Sequence, residues 1–173
     1  VLVGVDLRKP KIYSDFDLEN RVGVSSYLSG HHELDEVIQH TKVENLDMIS
    51  AGPIPPNPSE LIMSSRFEEM IGELRKRYDH IVLDTPPLGL VADSYEVMKH
   101  IDHTFFVVRQ GYTEKGLLEY INDRYNSGAI RNIAIIINDF QVNTGYGYGY
   151  GYGYGYGYGY GYGYGYGYGY FEE

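Results

Sequence analysis

Cysteine is absent from this chain of 173 residues. No disulfide framework, thiolate metal site or cysteine nucleophile can therefore be built, and the composition is compatible with a reducing cytosol. Long apolar runs are missing too. The longest unbroken one, Ile133-Ala134-Ile135-Ile136-Ile137, falls far short of the ~20 residues a membrane-spanning helix needs. Basic residues are scarce: 14 lysines and arginines stand against 24 aspartates and glutamates, a formal charge of −10. A nucleic-acid surface needs a basic patch, so no nucleic-acid partner is expected. An initiating methionine is lacking as well, since the chain opens at Val1 inside an apolar run. The expectation is a fragment, with any signal or membrane segment lying upstream.

What is present divides sharply. Of the 20 tyrosines and 22 glycines, 13 of each lie in one strict Gly-Tyr alternation from Gly145 to Tyr170. The remainder has ordinary globular composition and is long enough to bury a core. Two regions are expected: a folded domain over 1–144 and a low-complexity tail over 145–173. Apolar, β-branched runs predict strands at Val1–Val5, Leu46–Ser50, Ile81–Leu83, Thr104–Val108 and Ile133–Ile137. Short helical patterns fall within 23–39. A longer helix is predicted to start at Asn57, an N-cap candidate followed by Pro58 and, three after the cap, by Glu60. Downstream, Phe67, Met70, Ile71 and Leu74 keep the i, i+3, i+4, i+7 spacing of one buried face. Helices over Asp93–Ile101 and Thr113–Asn126 complete the set, the last stopped by Gly128. Wholly apolar strands alternating with helices imply an α/β fold, a doubly wound, mainly parallel sheet covered on both faces. Chemistry in such sheets sits beyond the carboxyl ends of the strands. Asp6, Asp84, Arg109 and Asn138 all fall there.

Three segments at or near those ends can bear chemistry. Ile81-Val82-Leu83-Asp84-Thr85-Pro86-Pro87 places an aspartate where a buried strand meets its loop, as a Walker B site does. Mg²⁺ dehydrates reluctantly, so one rigidly placed carboxylate can hold it, waters included, beside nucleotide phosphates. An aspartate there can equally cap the next helix. Val5-Asp6-Leu7-Arg8-Lys9-Pro10 sets a carboxylate two residues from a guanidinium. The first can handle metal or a proton while the second clamps phosphate oxygens; a local surface ion pair is the plainer alternative. Pro53-Ile54-Pro55-Pro56-Asn57-Pro58-Ser59-Glu60-Leu61 is at least a rigid loop entering a helix.

Together, and in this order, these segments resemble the P-loop tyrosine kinases of bacteria, the BY-kinases. The likeness covers nearly all of 1–145: a Walker A′ strand at 1–8, Pro-Pro-Asn-Pro-Ser-Glu-Leu at 55–61, Asp-Thr-Pro-Pro at 84–87, then Val107-Val108-Arg109 and Ile137-Asn138. A C-terminal tyrosine cluster is the family's other hallmark. The resemblance implies a P-loop NTPase fold of the deviant-Walker type and an ATP-dependent protein-tyrosine autokinase regulating capsular or exopolysaccharide production, with ATP and Mg²⁺ as cofactors. Carried over by position, Asp84 is the Walker B magnesium residue. Asp6 is the second aspartate of Walker A′, serving metal and catalysis. Arg8 completes that motif and contacts phosphate or a neighbouring subunit. Asn138 resembles the residue that meets adenine in related ATPases. Two departures stand out. The first Walker A′ aspartate, proposed in this family as general base, is Gly4 here. No Gly-x-x-x-x-Gly-Lys-[Ser/Thr] loop, whose backbone N–H groups and lysine cradle phosphates, occurs in the chain. That loop is expected just upstream of Val1, and without it the chain is not expected to hold ATP.

In an extended strand, Gly-Tyr alternation puts every tyrosine on one face, yet glycine's backbone entropy makes a mobile tail the expectation. One role for it is an aromatic adhesive. The other is a row of phosphoacceptors: Tyr146, Tyr148, Tyr150, Tyr152, Tyr154, Tyr156, Tyr158, Tyr160, Tyr162, Tyr164, Tyr166, Tyr168 and Tyr170. Each phosphate adds roughly −1.5 to −2, so full modification adds roughly −20 to −26 and opposes packing several tails around a shared ring. The resemblance accordingly implies a homo-oligomeric ring that docks each tail in a neighbour and separates on phosphorylation. It further implies a membrane chain-length-determinant region, fused upstream or separate, a tyrosine phosphatase, and a place on the cytoplasmic side of the inner membrane. Two other readings stay open: a deviant-Walker ATPase without kinase activity, and a degenerate kinase scaffold with an adhesive tail.

Overall fold

Val3, with no exposed surface, sits on β1 (Leu2–Gly4) in the interior of a four-stranded sheet. This computed structural model describes residues 1–87 and 93–141. The tail tyrosines Tyr146 to Tyr170 lie outside the described residues. Val1–Phe140 forms one unit of the chain and holds every element named below.

In the first sheet, β1 runs parallel to β3 (Asp47–Ile49), with Leu2 opposite Met48. On its other side it runs parallel to β4 (Val82–Asp84), with Gly4 opposite Asp84. β2 (Ile38–His40) adds an antiparallel edge to β3. A second sheet consists of β5 (Thr104–Arg109) and β6 (Ile133–Asn138), parallel and in register from Thr104–Ile133 to Arg109–Asn138. The mainly parallel α/β architecture expected from the apolar strands is thus observed, with five of the six strands in parallel pairings. Among the described residues it is divided between two sheets.

The helices are α1 (Val24–Leu28), α2 (Leu34–Val37), α3 (Pro58–Ile62), α4 (Ser65–Arg77), α5 (Asp93–Met98) and α6 (Lys115–Asn126). Phe67, Met70, Ile71 and Leu74 form the buried stripe of α4, as their spacing predicts. They join Val3, Val24, Val37 and Ile49 in the main core. A smaller core gathers Phe106, Val108, Ile121 and Ile130.

Three differences from the sequence-based expectation have local causes. The helix expected to run on from Asn57 breaks into α3 and α4 at Ser64, which is extended and donates its hydroxyl to the Leu61 carbonyl at 2.6 Å. Serine competes with helical hydrogen bonding in this way. Asn57 does not cap the backbone; its side chain donates to Glu60 Oε2 at 2.8 Å. The strand β2 follows α2 directly and is too short to show an alternating pattern. Finally, β5 and β6 are not covered on both faces: Phe106 and Val108 are buried, but Phe105, Val107 and Ile135–Ile137 are exposed.

Two close approaches fix the loop ahead of α3. A Cβ on Gly23 would sit 2.1 Å from the Ser50 carbonyl oxygen, so only glycine allows the start of α1 to lie on that backbone. Gly52, at φ 78°, turns beside it. Asn20 then clamps Gly52 by both its amide groups at 2.8 Å, and the Ser25 hydroxyl donates to the Pro53 carbonyl at 2.7 Å. α6 ends in a Schellman motif: Gly128 N–H donates to the Tyr125 carbonyl and Ala129 N–H to that of Arg124.

Candidate active site

Asp6 lies just beyond β1 and Asp84 ends β4, and parallel pairing of these strands delivers both to one end of the sheet. The Val5 N–H donates to the Asp84 carbonyl at 2.7 Å and locks the two strand ends together. The chain then turns sharply around the Asp6 side chain, whose Oδ1 accepts from the backbone N–H of Arg8 at 3.1 Å and of Lys9 at 3.0 Å. Asp6 is 8% exposed, so those two donors hold a carboxylate that is almost out of water.

Arg8 points across to α3, where its Nη2 donates to Ser59 Oγ at 2.9 Å. This contact explains why a Pro-rich loop, pinned at Gly23, Gly52 and Asn20, leads to Pro58–Ser59. It delivers a hydroxyl to the guanidinium of the Asp6 loop. The sequence placed Ser59 in a helix entry and in the 55–61 segment of the family resemblance, but nothing in the spacing links positions 8 and 59.

The electrostatics follow from this crowding. Burial pushes the Asp84 pKa above the ordinary carboxylate value, and the negative charges of Asp6 and Asp15 push it further. Asp15, on a 3-10 turn at Ile12–Phe16, is a third acid of the site that sequence reasoning missed. Gly4 faces the same turn: a Cβ there would lie 3.6 Å from Ile12 Cγ2 and 3.1 Å from the Ala51 backbone nitrogen. Carboxylates that repel one another near a buried strand end favour a cation between them. Among the described residues no group of three or more His, Cys, Asp or Glu side chains is arranged as a complete metal site. Mg²⁺ does not need one, since it keeps waters and binds through one or two carboxylates plus substrate phosphates. Asp6 and Asp84 fit that demand.

Asn138 and Arg109 sit opposite each other at the carboxyl end of the second sheet. The Asn138 side-chain oxygen accepts from the Asp139 N–H at 2.8 Å, and Arg109 Nε pairs with Asp139 Oδ2 at 2.9 Å. The Arg109 guanidinium also lies 5.3 Å from the centre of the exposed Tyr112 ring. The structure therefore brings Asp6, Arg8 and Asp84 into one cluster, and Asn138 into another with Arg109, Asp139 and Tyr112.

No protein-family model matches the chain. Curated relatives do. The chain is 38% identical over 115 residues to the tyrosine-protein kinase YwqD of Bacillus subtilis, covering 66% of this chain and 48% of that protein. It is 36% identical over 147 residues to the tyrosine-protein kinase wzc of Salmonella typhi, covering 84% of this chain and 20% of the relative. The chain thus spans about half of the first and a fifth of the second. Among solved structures, the kinase domain of Escherichia coli tyrosine kinase ETK matches with a TM-score of 0.77 and 33% identity, over 87% of this chain and 59% of that one. The VpsO kinase domain matches with a TM-score of 0.73 and 32% identity, over 81% of this chain and 70% of that one. A septum site-determining protein MinD from Pyrococcus horikoshii, at 19% identity and a TM-score of 0.59, shares the fold. With its P-loop NTPase-type fold and identities above 30% to these kinase domains, the chain belongs to the bacterial tyrosine-protein kinase family, the BY-kinases.

Proposed function

We propose that this chain is the catalytic part of an ATP-dependent protein-tyrosine autokinase that phosphorylates its own tail, from Tyr146 to Tyr170, and regulates capsular or exopolysaccharide production. The observation that carries the reading is the convergence of Asp6, Arg8 and Asp84 at one strand end, with Asp84 raised in pKa by burial and by its acidic neighbours. Asp84 and Asp6 would hold Mg²⁺, Arg8 would contact phosphate, and Asn138 would meet the adenine. When bound, Mg²⁺ supplies neutralisation of charge on the transferring phosphoryl group. Asp6 takes the tyrosine hydroxyl proton in place of the acid that Gly4 lacks. Phosphoryl transfer draws mostly on positioning and electrostatics, so the missing base need not abolish it.

The same reading gives a homo-oligomer in which each tail docks in a neighbour's site, a membrane chain-length-determinant partner, and a phosphatase that resets the tail. No helix among the described residues is long and apolar enough to cross a membrane, so anchoring to the cytoplasmic face of the inner membrane would fall to that partner region. Phosphorylation should dissociate the oligomer, and equal oligomer mass for phosphorylated and dephosphorylated protein would count against the switch.

Intact-mass spectrometry tests the kinase. The longest natural polypeptide containing this chain is incubated with Mg²⁺ and ATP beside its Asp84→Ala variant. A ladder of phosphate additions mapping to Tyr146–Tyr170 and absent from the variant is expected. An unmodified mass with measurable ATP hydrolysis would assign a deviant-Walker ATPase instead. Neither modification nor hydrolysis would assign a scaffold with an adhesive tail.

A further inference from the structure

Seven tyrosines precede the Gly-Tyr alternation, and their surroundings divide them. The hydroxyl of Tyr78 is committed to Asp47, and those of Tyr95 and Tyr120 to each other. Tyr27 is buried, and Tyr13 is half-buried on the 3-10 turn. Tyr125 is exposed but stands within α6, whose hydrogen-bonded backbone holds it close to the helix. Tyr112 differs on each count. It lies in the connection 110–114 between β5 and α6 and is 58% exposed. Among the described residues its hydroxyl has no hydrogen-bond partner. A tight turn holds it there. The N–H groups of Tyr112 and Thr113 both donate to the Arg109 carbonyl, at 3.1 and 2.9 Å, and the Thr113 hydroxyl accepts from the Arg109 N–H at 2.8 Å. Gly111 supplies the left-handed φ of 74° that closes the turn.

The surroundings of this ring favour an anion. The Arg109 guanidinium lies over it at 5.3 Å and gives Nε to Asp139, so its two terminal nitrogens have no hydrogen-bond partner among the described residues. α6 begins three residues on, with Lys115 at its first position, no acidic residue in its first turn and no side-chain bond at the Glu114 cap. A helix start of that kind carries partial positive charge. We propose that Tyr112 is a further phosphorylation site of this kinase, outside the tail, and that phosphate there weakens nucleotide binding. The site rests on the autokinase function proposed above. In the transfer, Tyr112 Oη bonds to the γ-phosphorus of ATP while the bond from that phosphorus to the β,γ-bridging oxygen breaks. ADP leaves, and the phenolic proton passes to Asp6. The new phosphate carries roughly −1.5 to −2. A guanidinium holds phosphate oxygens through two parallel N–H groups, which draws Arg109 from Asp139 to the phosphate. Arg109 stands opposite Asn138 in the β5–β6 register, so the added charge comes to rest beside the residue proposed to meet adenine. A nucleotide, itself anionic, then binds against a like charge.

Peptide mapping tests the site. The longest natural polypeptide containing this chain is incubated with Mg²⁺ and ATP beside its Asp84→Ala variant, then cut with trypsin. Cleavage after Arg109 and Lys115 releases Gln110–Lys115, in which Tyr112 is the only tyrosine and which holds no tail residue. One phosphate on this peptide is expected, assigned by fragmentation to Tyr112 rather than Thr113 and absent from the variant. Phosphate on the tail with none on Gln110–Lys115 would overturn the site and leave the autokinase standing; phosphate on neither would overturn both. The effect on nucleotide is read by calorimetric titration with ADP, on protein whose 13 tail tyrosines are changed to phenylalanine so that the tail gains no charge. The dissociation constant should rise roughly 5-fold or more on phosphorylation. It should return after treatment with a tyrosine phosphatase and stay level when Tyr112→Phe is added. An equal constant in both forms, or a rise that survives Tyr112→Phe, would overturn the proposed effect.

Discussion

Burial first, and then the charges of Asp6 and Asp15, raise the proton affinity of Asp84 in the folded chain. A carboxyl that holds its proton more tightly folded than unfolded costs the fold stability once pH climbs past the ordinary carboxylate value, because ionisation is then harder in the folded state. Asp84→Asn is therefore expected to raise the urea midpoint at pH 7. The gain should vanish below about pH 3, where the wild-type carboxyl is protonated in either state. The same substitution should remove phosphorylation, so stability and activity would move in opposite directions. Asp6 and Asp84 were legible in the sequence because each ends an apolar run, and a run that ends in an acid marks a strand end. Asp15 was not. It acts on Asp84 through a 3-10 turn, whose position depends on packing of Ile12 against the Gly4 backbone, and no periodicity reports that.

Among the elements, α4 links the sheet to the core, and two of its residues can be tested separately. Phe67 is fully buried, and Phe67→Ala should cost about 3–5 kcal/mol in equilibrium unfolding, the range for emptying an aromatic core position. Tyr78, at the carboxyl end of α4, donates its hydroxyl to Asp47 Oδ2 at 2.7 Å, at the first residue of β3. Burial and the Asp47 carboxylate push the Tyr78 pKa up to about 12. An unfolded tyrosine ionises near pH 10, so this contribution is intact below that value and is lost as pH rises from about 10 to 12. Tyr78→Phe should cost about 1 kcal/mol at pH 7 and flatten that alkaline loss, as parallel denaturation series would show. The stripe that buries α4 was readable from spacing alone. Its break at Ser64 was not, since a serine hydroxyl chooses between solvent and the Leu61 carbonyl only once the chain is folded. The antiparallel β2 escaped for a related reason: three residues carry too little pattern to set against the helical residues before them.

For the whole molecule, both cores lie within Val1–Phe140. Ending the chain at Thr144 should leave the thermal midpoint of the 173-residue chain unchanged, as calorimetry of the two would show; a clear drop would mean that the tail supports the fold. The parallel α/β class was legible because buried parallel strands must be apolar throughout, which marked five of the six strands. The division into two sheets was not, because the pattern within a strand says what covers its faces and nothing about its neighbours in the sheet. The pairing of β5 with β6 has a mechanical consequence. β6 ends at Asn138, and a pull applied there along the strand axis acts on its pairing with β5. Because β6 runs parallel to β5 over six consecutive residue pairs, such a pull loads the whole ladder in shear and cannot peel it one bond at a time. The end of the strand that bears Asn138 is thus held by the whole ladder against a force in that direction.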